Sequence, residues 1–526
     1  MGFRLGPGLV DKGKDIVITR RDFVAGSGLI VATTLARNAW GTNPDPASFV
    51  IPVDLGKVTG PLPHVWEEIA GSDRVVVGLR EQWRQDLIHV HRDTGIRSIR
   101  CHGLFDDEMG IAAGPAHRFN FLYVDQIYDF MLDQGVKPFV ELSFMPEAFA
   151  TSNNRIFAYK GNASPPRNWQ DWHDMVRAFA DHCVKRYGAA EVRQWRFEVW
   201  NEPNIDFWAG TQEEYFELYR QSVMALKSVD GRLQVGGPAT AQLGWIPDLI
   251  RYCSAKNLSL DFVSTHIYPD DPQGKIFGRA KVYPFEQVIP RGIELARHQI
   301  ETSAMPHLPL LITEWSSQNP AFIFDTIKNC IGQAEALAYW TFSNVFEEGG
   351  VPSGVFNDVF GLLDQWGIAR PSLHAFSFLH RLGEERLQAG AGPVLATRRS
   401  DGSLAILVWN LLPAANSSSV ANGNPMAASG GGNSAKGAEL VATLQLKGLS
   451  GRKQTRIARI GGEIGSALPA WKAMGSPQYP SRDQLIQLRK SAELPPPETR
   501  TLQGTEPEGI SIHLPPNGVA ILEFDR

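Results

Sequence analysis

The segment RFEVWNEPN, Arg196 to Asn204, combines a strand-like apolar run with an abrupt polar end. Phe197 and Trp200 are of residue types enriched in β-strands. Glu202 follows them, between an asparagine and a proline. Because proline has no N–H to donate to a sheet, the segment predicts a strand that ends at Pro203 and carries Glu202 at its carboxyl end.

Seven further β-rich runs alternate with helical patterns along the chain. They are RVVVGL near 74, IRSIRCHG near 96, VKPFVELSF near 136, LQVGGPA near 233, DFVSTHIYP near 261, LPLLITEW near 308 and ALAYWTFSN near 337. Between two of them, NFLYVDQIYDFMLDQG places apolar residues at helical spacing and ends in Gly135. Roughly eight βα units predict an α/β fold with a (β/α)8 TIM barrel over residues 74–381. A doubly wound sheet is the alternative, but no GxGxxG motif follows the first strand.

After about Leu382 the pattern changes to strands alone. VLATRRSDGSLAILVWNLL predicts a hairpin across Asp401-Gly402, and the later strand-like segments are separated by turn residues. We therefore expect an accessory all-β sandwich domain over residues 382–526. A Gly/Asn/Ser-rich stretch near 413–437 is predicted to be a surface loop of this domain. ASFVIPVDL, within an N-terminal segment of residues 41–73, is a candidate strand for the same domain.

Residues 1–40 differ from the rest of the chain. TRRDFVAGSGLIVATTLA, Thr19 to Ala36, has the pair Arg20-Arg21 followed by a modestly apolar run that is too short to span a bilayer. It resembles a twin-arginine export signal, which predicts a periplasmic or secreted protein with no membrane span in the mature chain. An ordinary N-terminal helix, and with it a cytoplasmic protein, is the alternative.

The composition argues against several classes of function. A net charge of −5 gives no electrostatic reason to expect nucleic acid or an anionic membrane as a partner. The cysteines are widely scattered and show neither CxxC nor His-rich spacing, so neither a metal site nor a disulfide framework is expected. They are Cys101, Cys183, Cys253 and Cys330.

Polar and aromatic side chains gather at the ends of the predicted barrel strands, where TIM barrels carry their active sites. In chain order they are Arg100, His102, Asn201, Glu202, His266, Tyr268, Glu314, Trp340, Glu347 and Glu348. Each one alone has an ordinary explanation, such as a solvated cap or a buried ion-pair partner. Together they would have to meet at one end of one barrel by chance, so the set predicts an active site.

Glu202 and Glu314 belong to different strands but to the same rim of the barrel. Glycoside hydrolysis requires such a pair, since one carboxyl group must be protonated to donate to the leaving oxygen and the other must be ionised to attack the anomeric carbon. Arg100 is the candidate cation beside Glu314, where it would lower the pKa of that carboxylate. Glu198 is expected to be only a buried partner for a barrel arginine.

FEVWNEPN and LLITEW together resemble the retaining glycoside hydrolases of clan A and, within that clan, the β-xylosidases of glycoside hydrolase family 39. Other segments resemble this family in the same order, among them RCHGLFDDEMG, GVKPFVELSFMPE, GNASPPRNWQDW, DFVSTHIYP and YWTFSNVFEE. The resemblance covers about residues 74–410. It implies a small glycoside or oligosaccharide as substrate and no metal or organic cofactor.

The resemblance also implies roles for single residues. Glu202 would be the general acid/base, Glu314 the nucleophile, and Asn201 the partner of the sugar 2-OH. The other substrate-binding residues would be Arg100, His102, His266, Tyr268, Trp340, Glu347 and Glu348. Trp315 departs from the tyrosine expected after the nucleophile of a xylosidase, and we expect it to reshape the wall of the subsite.

The sequence therefore predicts a retaining exo-β-xylosidase that releases D-xylose from non-reducing ends. α-L-Arabinosidase and α-L-iduronidase are alternatives within the family, although the iduronidase branch reads NEPD where this chain has Asn204. Two further alternatives belong to other classes. A catalytically silent sugar-binding barrel is disfavoured by the intact Asn201, Glu202 and Glu314. A metal-dependent barrel hydrolase is disfavoured because no HxH motif closes an early strand.

Overall fold

Parallel strands and the helices between them form the larger part of the computed structural model. The structure describes residues 47–112, 118–279, 281–357, 360–413, 437–504 and 507–526. The predicted export signal of residues 1–40 and most of the predicted loop near 413–437 lie outside this part of the chain. No helix within it is long and apolar enough to cross a membrane.

The strands and helices are numbered along the chain. The strands are β1 (Ala47–Pro61), β2 (Ala70–Arg74), β3 (Ser98–His102), β4 (Lys137–Leu142), β5 (Arg155–Ile156), β6 (Gly161–Asn162), β7 (Arg196–Val199), β8 (Gln234–Thr240), β9 (Phe262–His266), β10 (Leu310–Trp315), β11 (Ala336–Tyr339), β12 (Glu385–Ala389), β13 (Val394–Arg398), β14 (Leu404–Trp409), β15 (Leu440–Lys447), β16 (Lys453–Ile460), β17 (Glu498–Leu502), β18 (Glu508–Leu514) and β19 (Val519–Phe524). The helices are α1 (Glu81–Thr94), α2 (Leu122–Asp133), α3 (Trp169–Tyr187), α4 (Ala189–Val192), α5 (Gln212–Val229), α6 (Ile246–Lys256), α7 (Gln273–Ile276), α8 (Val288–Glu301), α9 (Pro320–Cys330), α10 (Pro371–His380), α11 (Leu468–Ala473) and α12 (Arg482–Ser491).

Eight of these strands close into a parallel barrel in the order β10-β11-β2-β3-β4-β7-β8-β9. The helices that follow the strands pack on one another around it, as α3 does on α5 and α1 on α10. An apolar cluster that includes Phe139, Phe262 and Leu311 fills the barrel near the amino ends of its strands. The predicted (β/α)8 barrel is confirmed, and its carboxyl ends are left for polar side chains.

The first barrel strand is not the one that the sequence predicts. RVVVGL was expected to form it, but Val75–Leu79 is a 3₁₀ helix and the strand is β2, AGSDR, which begins before residue 74. The barrel needs small residues here, because a Cβ on Gly71 would lie 2.0 Å from the ring of Trp340. A strand of small and polar residues has no apolar periodicity, so the adjacent valines gave the stronger but misleading signal.

The second sheet is mostly antiparallel, with nine strands in the order β17-β16-β19-β14-β13-β12-β1-β15-β18. β13 and β14 pair as a hairpin across Asp401-Gly402. The candidate strand near residue 47 lies in β1, which pairs with β12 and β15. One apolar cluster joins strands at both ends of the order, for example Ile457 and Ile510. The sheet therefore covers a common core, and the accessory β-sheet domain is confirmed. It also contains the helices α11 and α12, which an all-β domain does not have.

Candidate active site

Glu202 lies on a turn beyond the end of its strand. β7 ends at Val199, and Trp200 and Glu202 both have left-handed backbone conformations, with φ of 71° and 46°. The prediction that Pro203 ends the strand is therefore wrong, because the backbone already leaves the sheet at Trp200. Non-glycine residues hold such φ values only when their surroundings fix them. Here the Glu202 N–H donates to the Ala239 carbonyl at 2.8 Å.

The two predicted catalytic carboxyl groups lie side by side with an imidazole. One oxygen of Glu202, one oxygen of Glu314 and one nitrogen of His266 are all within 4.8 Å of one another. His266 Nδ1 is 3.0 Å from Glu202 Oε1 and 3.5 Å from Glu314 Oε1. The Glu202 side chain is 12% exposed and that of Glu314 is 6% exposed, so both are largely shielded from water but reachable from the barrel mouth.

Arg100 lies beneath this pair and binds several acidic groups at once. Its Nη1 donates to Glu314 Oε1 at 2.8 Å, its Nε to Glu198 Oε2 at 2.5 Å, and its Nη2 lies 2.7 Å from Glu141 Oε2. The same Nη2 donates to Asn201 Oδ1 at 3.0 Å. The cation predicted beside Glu314 is therefore present, and Glu198 is its buried partner. Arg100 is fully buried, however, so it positions other residues rather than contacting substrate.

The surroundings of Glu202 and Glu314 separate their proton affinities. Burial raises the pKa of Glu202 well above its usual range, and the nearby Glu314 carboxylate raises it further. Burial also raises the pKa of Glu314, but Arg100, His102 and the Tyr268 hydroxyl oppose this rise. The hydroxyl donates to Glu314 Oε2 at 2.9 Å. Glu202 is therefore the group that holds a proton, and Glu314 is the group more easily ionised.

Two histidines at the site differ in charge, because the pKa of one is raised and that of the other is lowered. Burial disfavours a charge on His102, but Glu141 at 2.8 Å and Glu348 at 3.3 Å outweigh it and raise the pKa of His102 well above its usual value. Burial, Arg100 and His102 together lower the pKa of His266 well below its usual value. His102 is thus a cationic donor on the wall of the pocket, whereas His266 is a neutral ring beside the acid.

Glu347 and Glu348 have different environments, although they are adjacent. Glu347 pairs with Arg74 at 3.0 Å and also with Arg80, and these cations outweigh its burial and lower its pKa. Glu348 instead lies beside His102, and burial raises its pKa to about 7. Glu348 is therefore placed to contact a ligand, while both oxygens of Glu347 are held by arginines.

Two tryptophans at the carboxyl ends of the neighbouring strands β10 and β11 lie on opposite sides of the barrel wall. The Trp340 ring lies 4.6 Å from the ring of His102, centroid to centroid, on the side of the site. Trp315 alternates with Glu314 on β10 and packs outward, 5.9 Å from Tyr339, with no exposed surface. The expectation that Trp315 reshapes the subsite wall is therefore wrong.

The sequence reasoning missed Glu141, which links two of the predicted residues. It lies on β4, accepts from His102 and is 2.7 Å from Arg100. These cations outweigh its burial and lower the pKa of Glu141. A lone carboxylate inside the apolar run VKPFVELSF was the available signal, since such a group needs a buried cation.

Glu202, His266 and Glu314 are also the cluster that could hold a metal ion among the residues that the structure describes. Glu314 is already hydrogen-bonded through both oxygens, by Arg100 and by Tyr268. A divalent cation would have to sit next to the fixed positive charge of Arg100. The donor set is therefore better suited to proton transfer than to metal binding.

Comparisons with known proteins agree with this geometry. The family model described as "Glycosyl hydrolases family 39" matches residues 49–506. A β-xylosidase of Geobacillus stearothermophilus is 35% identical over 491 residues, which cover 88% of this chain and 92% of the relative. A β-xylosidase of Caldicellulosiruptor saccharolyticus is 35% identical over 473 residues, covering 84% of this chain and 91% of the relative. A solved structure of a monomeric β-xylosidase from Caulobacter crescentus CB15 superposes with a TM-score of 0.81 at 33% identity, covering 90% of this chain and 99% of the other.

Proposed function

Because the chain belongs to glycoside hydrolase family 39 and is therefore a glycosidase, we propose that it is a retaining, exo-acting β-xylosidase. It releases D-xylose from the non-reducing end of β-xylosides and short xylo-oligosaccharides. The observation that carries the proposal is the pair of carboxyl groups on β10 and after β7, which lie close together in environments that separate their pKa values. The relatives from Geobacillus and Caldicellulosiruptor are β-xylosidases, and this supports xylose as the sugar.

The spacing of the carboxyl groups favours double displacement. Retaining glycosidases keep their two carboxyl groups about 5–5.5 Å apart, whereas inverting enzymes need roughly 6.5–9.5 Å to admit a water molecule. One oxygen of Glu202 and one oxygen of Glu314 lie within 4.8 Å of each other, which supports the shorter spacing. Glu314 attacks the anomeric carbon and forms a xylosyl ester while the Glu202 carboxyl group gives its proton to the leaving oxygen. The Glu202 carboxylate then takes a proton from a water molecule whose oxygen attacks the anomeric carbon. This attack breaks the ester bond to Glu314, which leaves as a carboxylate, and releases xylose.

Asn201 is the candidate for stabilising the transition state. Its Oδ1 accepts a hydrogen bond from Arg100, which leaves its amide N–H groups to donate to the sugar 2-OH. A hydrogen bond to this hydroxyl strengthens as positive charge develops on the sugar ring. Arg100 thus orients both Asn201 and the nucleophile Glu314.

The charges around the pocket favour a neutral sugar over a uronate. An α-L-iduronidase needs a cation for the carboxylate of its substrate. Arg74 and Arg80 are both engaged by Glu347, and Arg100 is buried among carboxylates. The His102 cation is already paired with Glu141 and Glu348. His102 with Glu348 suits paired sugar hydroxyls, since one group donates and the other accepts. α-L-Arabinosidase is the alternative with the same pentose size.

Proton NMR of the anomeric signals tests the proposal directly. Purified enzyme is mixed with an aryl β-D-xyloside, and the first anomer of free xylose is identified before mutarotation. We expect β-xylose first, and no turnover by Glu314→Gln. If α-xylose appears first, Glu314 is not the nucleophile. If xylosides are not hydrolysed but arabinosides or iduronides are, the mechanism stands and the sugar assignment is wrong.

A further inference from the structure

A small hairpin projects over one side of the active site. β5 and β6 pair as a two-stranded sheet, joined by the four residues Phe157–Lys160. Phe157 and Lys160 have positive φ values of 59° and 65°, and the Lys160 N–H donates to the Phe157 carbonyl at 3.2 Å. Such conformations persist in non-glycine residues only when contacts fix them, so the position of this tip is determined by what it packs against.

The tip packs against His102, the backbone of Glu348 and the loop that follows Glu202. The Phe157 ring stacks on the ring of His102, with centroids 6.1 Å apart and planes inclined by 12°. Phe157 also lies 4.7 Å from the ring of Phe207, in the loop after Glu202. The Ala158 N–H donates to the Glu348 carbonyl at 2.7 Å. The tip therefore bridges the loop after β7 and the segment that carries Glu348.

Tyr159 lies between this pocket and a second cavity. Its ring is 5.2 Å from that of Phe157 and lies under the guanidinium of Arg74, whose central carbon is 4.5 Å from the ring centroid. Its hydroxyl is buried and has no hydrogen-bond partner in the part of the chain that the structure describes. Tyr159 also lines a cavity of about 520 Å³ together with Asp106 and Asn162.

The cavity behind Tyr159 has the size and the polar groups to take one sugar unit. Its volume falls in the range of small-molecule pockets, about 300–1,000 Å³. Asp106 is only 6% exposed, and neither of its carboxyl oxygens has a hydrogen-bond partner among the described residues. A buried polar group without a partner is costly, and sugar hydroxyls would satisfy it.

We propose that the hairpin tip, through Phe157 and Tyr159, closes the sugar subsite beyond Glu348 and thereby restricts the enzyme to single terminal sugars. The tip meets the site at His102 and Glu348, which are two of the residues predicted to bind the terminal sugar. A second sugar on the non-reducing side would collide with Tyr159, and removal of that ring joins the subsite to the cavity lined by Asp106. This inference rests on the proposed exo action.

The test measures how the enzyme divides p-nitrophenyl β-xylobioside between two cleavages. Exo action releases xylose and p-nitrophenyl xyloside, whereas binding of both sugars beyond the scissile bond releases xylobiose and nitrophenol. The ratio of xylobiose to xylose is read at low conversion by chromatography. Because both products come from the same active molecules, the ratio does not depend on how much of a variant is folded.

We expect wild type to release mainly xylose and Tyr159→Ala to raise the xylobiose-to-xylose ratio at least about tenfold, a typical gain for one accommodated group. Tyr159→Phe is the matched control: it keeps the ring and removes only a hydroxyl without a partner, so its ratio should equal that of wild type. Phe157→Ala is the second variant should Tyr159→Ala fail to accumulate, and it should shift the ratio in the same direction.

The outcomes separate this inference from the proposed function. If wild type does not hydrolyse p-nitrophenyl β-xyloside, the proposed function fails. If it does, but also releases xylobiose as its main product, the barrier does not exist. If wild type acts as an exo enzyme and the active Ala variants keep its product ratio, another element closes the subsite and the inference is overturned.

Discussion

The hydrogen bond from Tyr268 to Glu314 should control the pH at which the nucleophile becomes active. The hydroxyl donates to Glu314 Oε2 at 2.9 Å, and the Tyr268→Phe substitution removes only this donor. Hydrogen bonds to charged groups contribute about 1.5–3 kcal/mol. One pKa unit corresponds to about 1.36 kcal/mol, so the pKa of Glu314 should rise by about 1–2 units.

The sign of the effect follows from the role of Glu314 as the ionised partner. A higher pKa means that more acidic solutions keep the nucleophile protonated and inactive. The acid limb of the kcat/KM profile should therefore move to higher pH by about 1–2 units. At a pH below the acid limbs of both enzymes, kcat/KM of Tyr268→Phe should be about 10- to 100-fold lower than that of wild type. At the plateau the two values should differ less, because Glu314 is ionised in both enzymes.

The assay is kcat/KM for an aryl β-D-xyloside as a function of pH, for wild type, Tyr268→Phe and Tyr219→Phe. Tyr219 is the matched control, since its hydroxyl donates to the Ser259 carbonyl at 3.0 Å, away from the two carboxyl groups. Its variant should keep the wild-type profile. If Tyr268→Phe lowers kcat/KM equally at every pH and the acid limb stays in place, Tyr268 acts on the substrate and not on the ionisation of Glu314.

Two further predictions concern the acid and the buried cation. Glu202→Ala should slow substrates with poor leaving groups far more than activated aryl xylosides, because only the former need a proton donor; equal losses on both would contradict the assignment of Glu202 as the acid. Arg100→Met should lower the free energy of unfolding by about 3–5 kcal/mol in urea denaturation, since it leaves Glu141, Glu198 and Glu314 buried without their shared cation. The exposed Arg251→Met should change it by less than about 1 kcal/mol, and a similarly small loss for Arg100→Met would mean that these carboxyl groups are protonated in the folded protein.

The barrel and the acidic pair could be predicted because both depend on local patterns. Alternating strand and helix periodicity identifies βα units, and parallel strands bring their carboxyl ends to one rim. Residues that end different strands, such as Glu202 and Glu314, therefore meet whatever their separation along the chain. Arg100 was expected as the cation beside Glu314, and the structure has it in the interior, paired with Glu314 and with Glu198.

Other features depended on close packing that local patterns do not encode. The first strand was missed because Gly71 is required by the ring of Trp340, a residue more than 260 positions away in the sequence. Trp315 is a different case, because alternation with Glu314 along β10 already places it on the outer face, where the structure has it against Tyr339.

Patterns along the chain were enough to predict the fold class, the rim on which the polar residues lie and the two carboxyl groups. Only the tertiary structure distinguished the environment of Glu347 from that of Glu348 and made His102 cationic and His266 neutral. It also brought the hairpin tip over the site. The physical reason is that charge state and access are set by neighbours from distant segments. Burial and the field of nearby ions act through space, whereas periodicity acts along the chain.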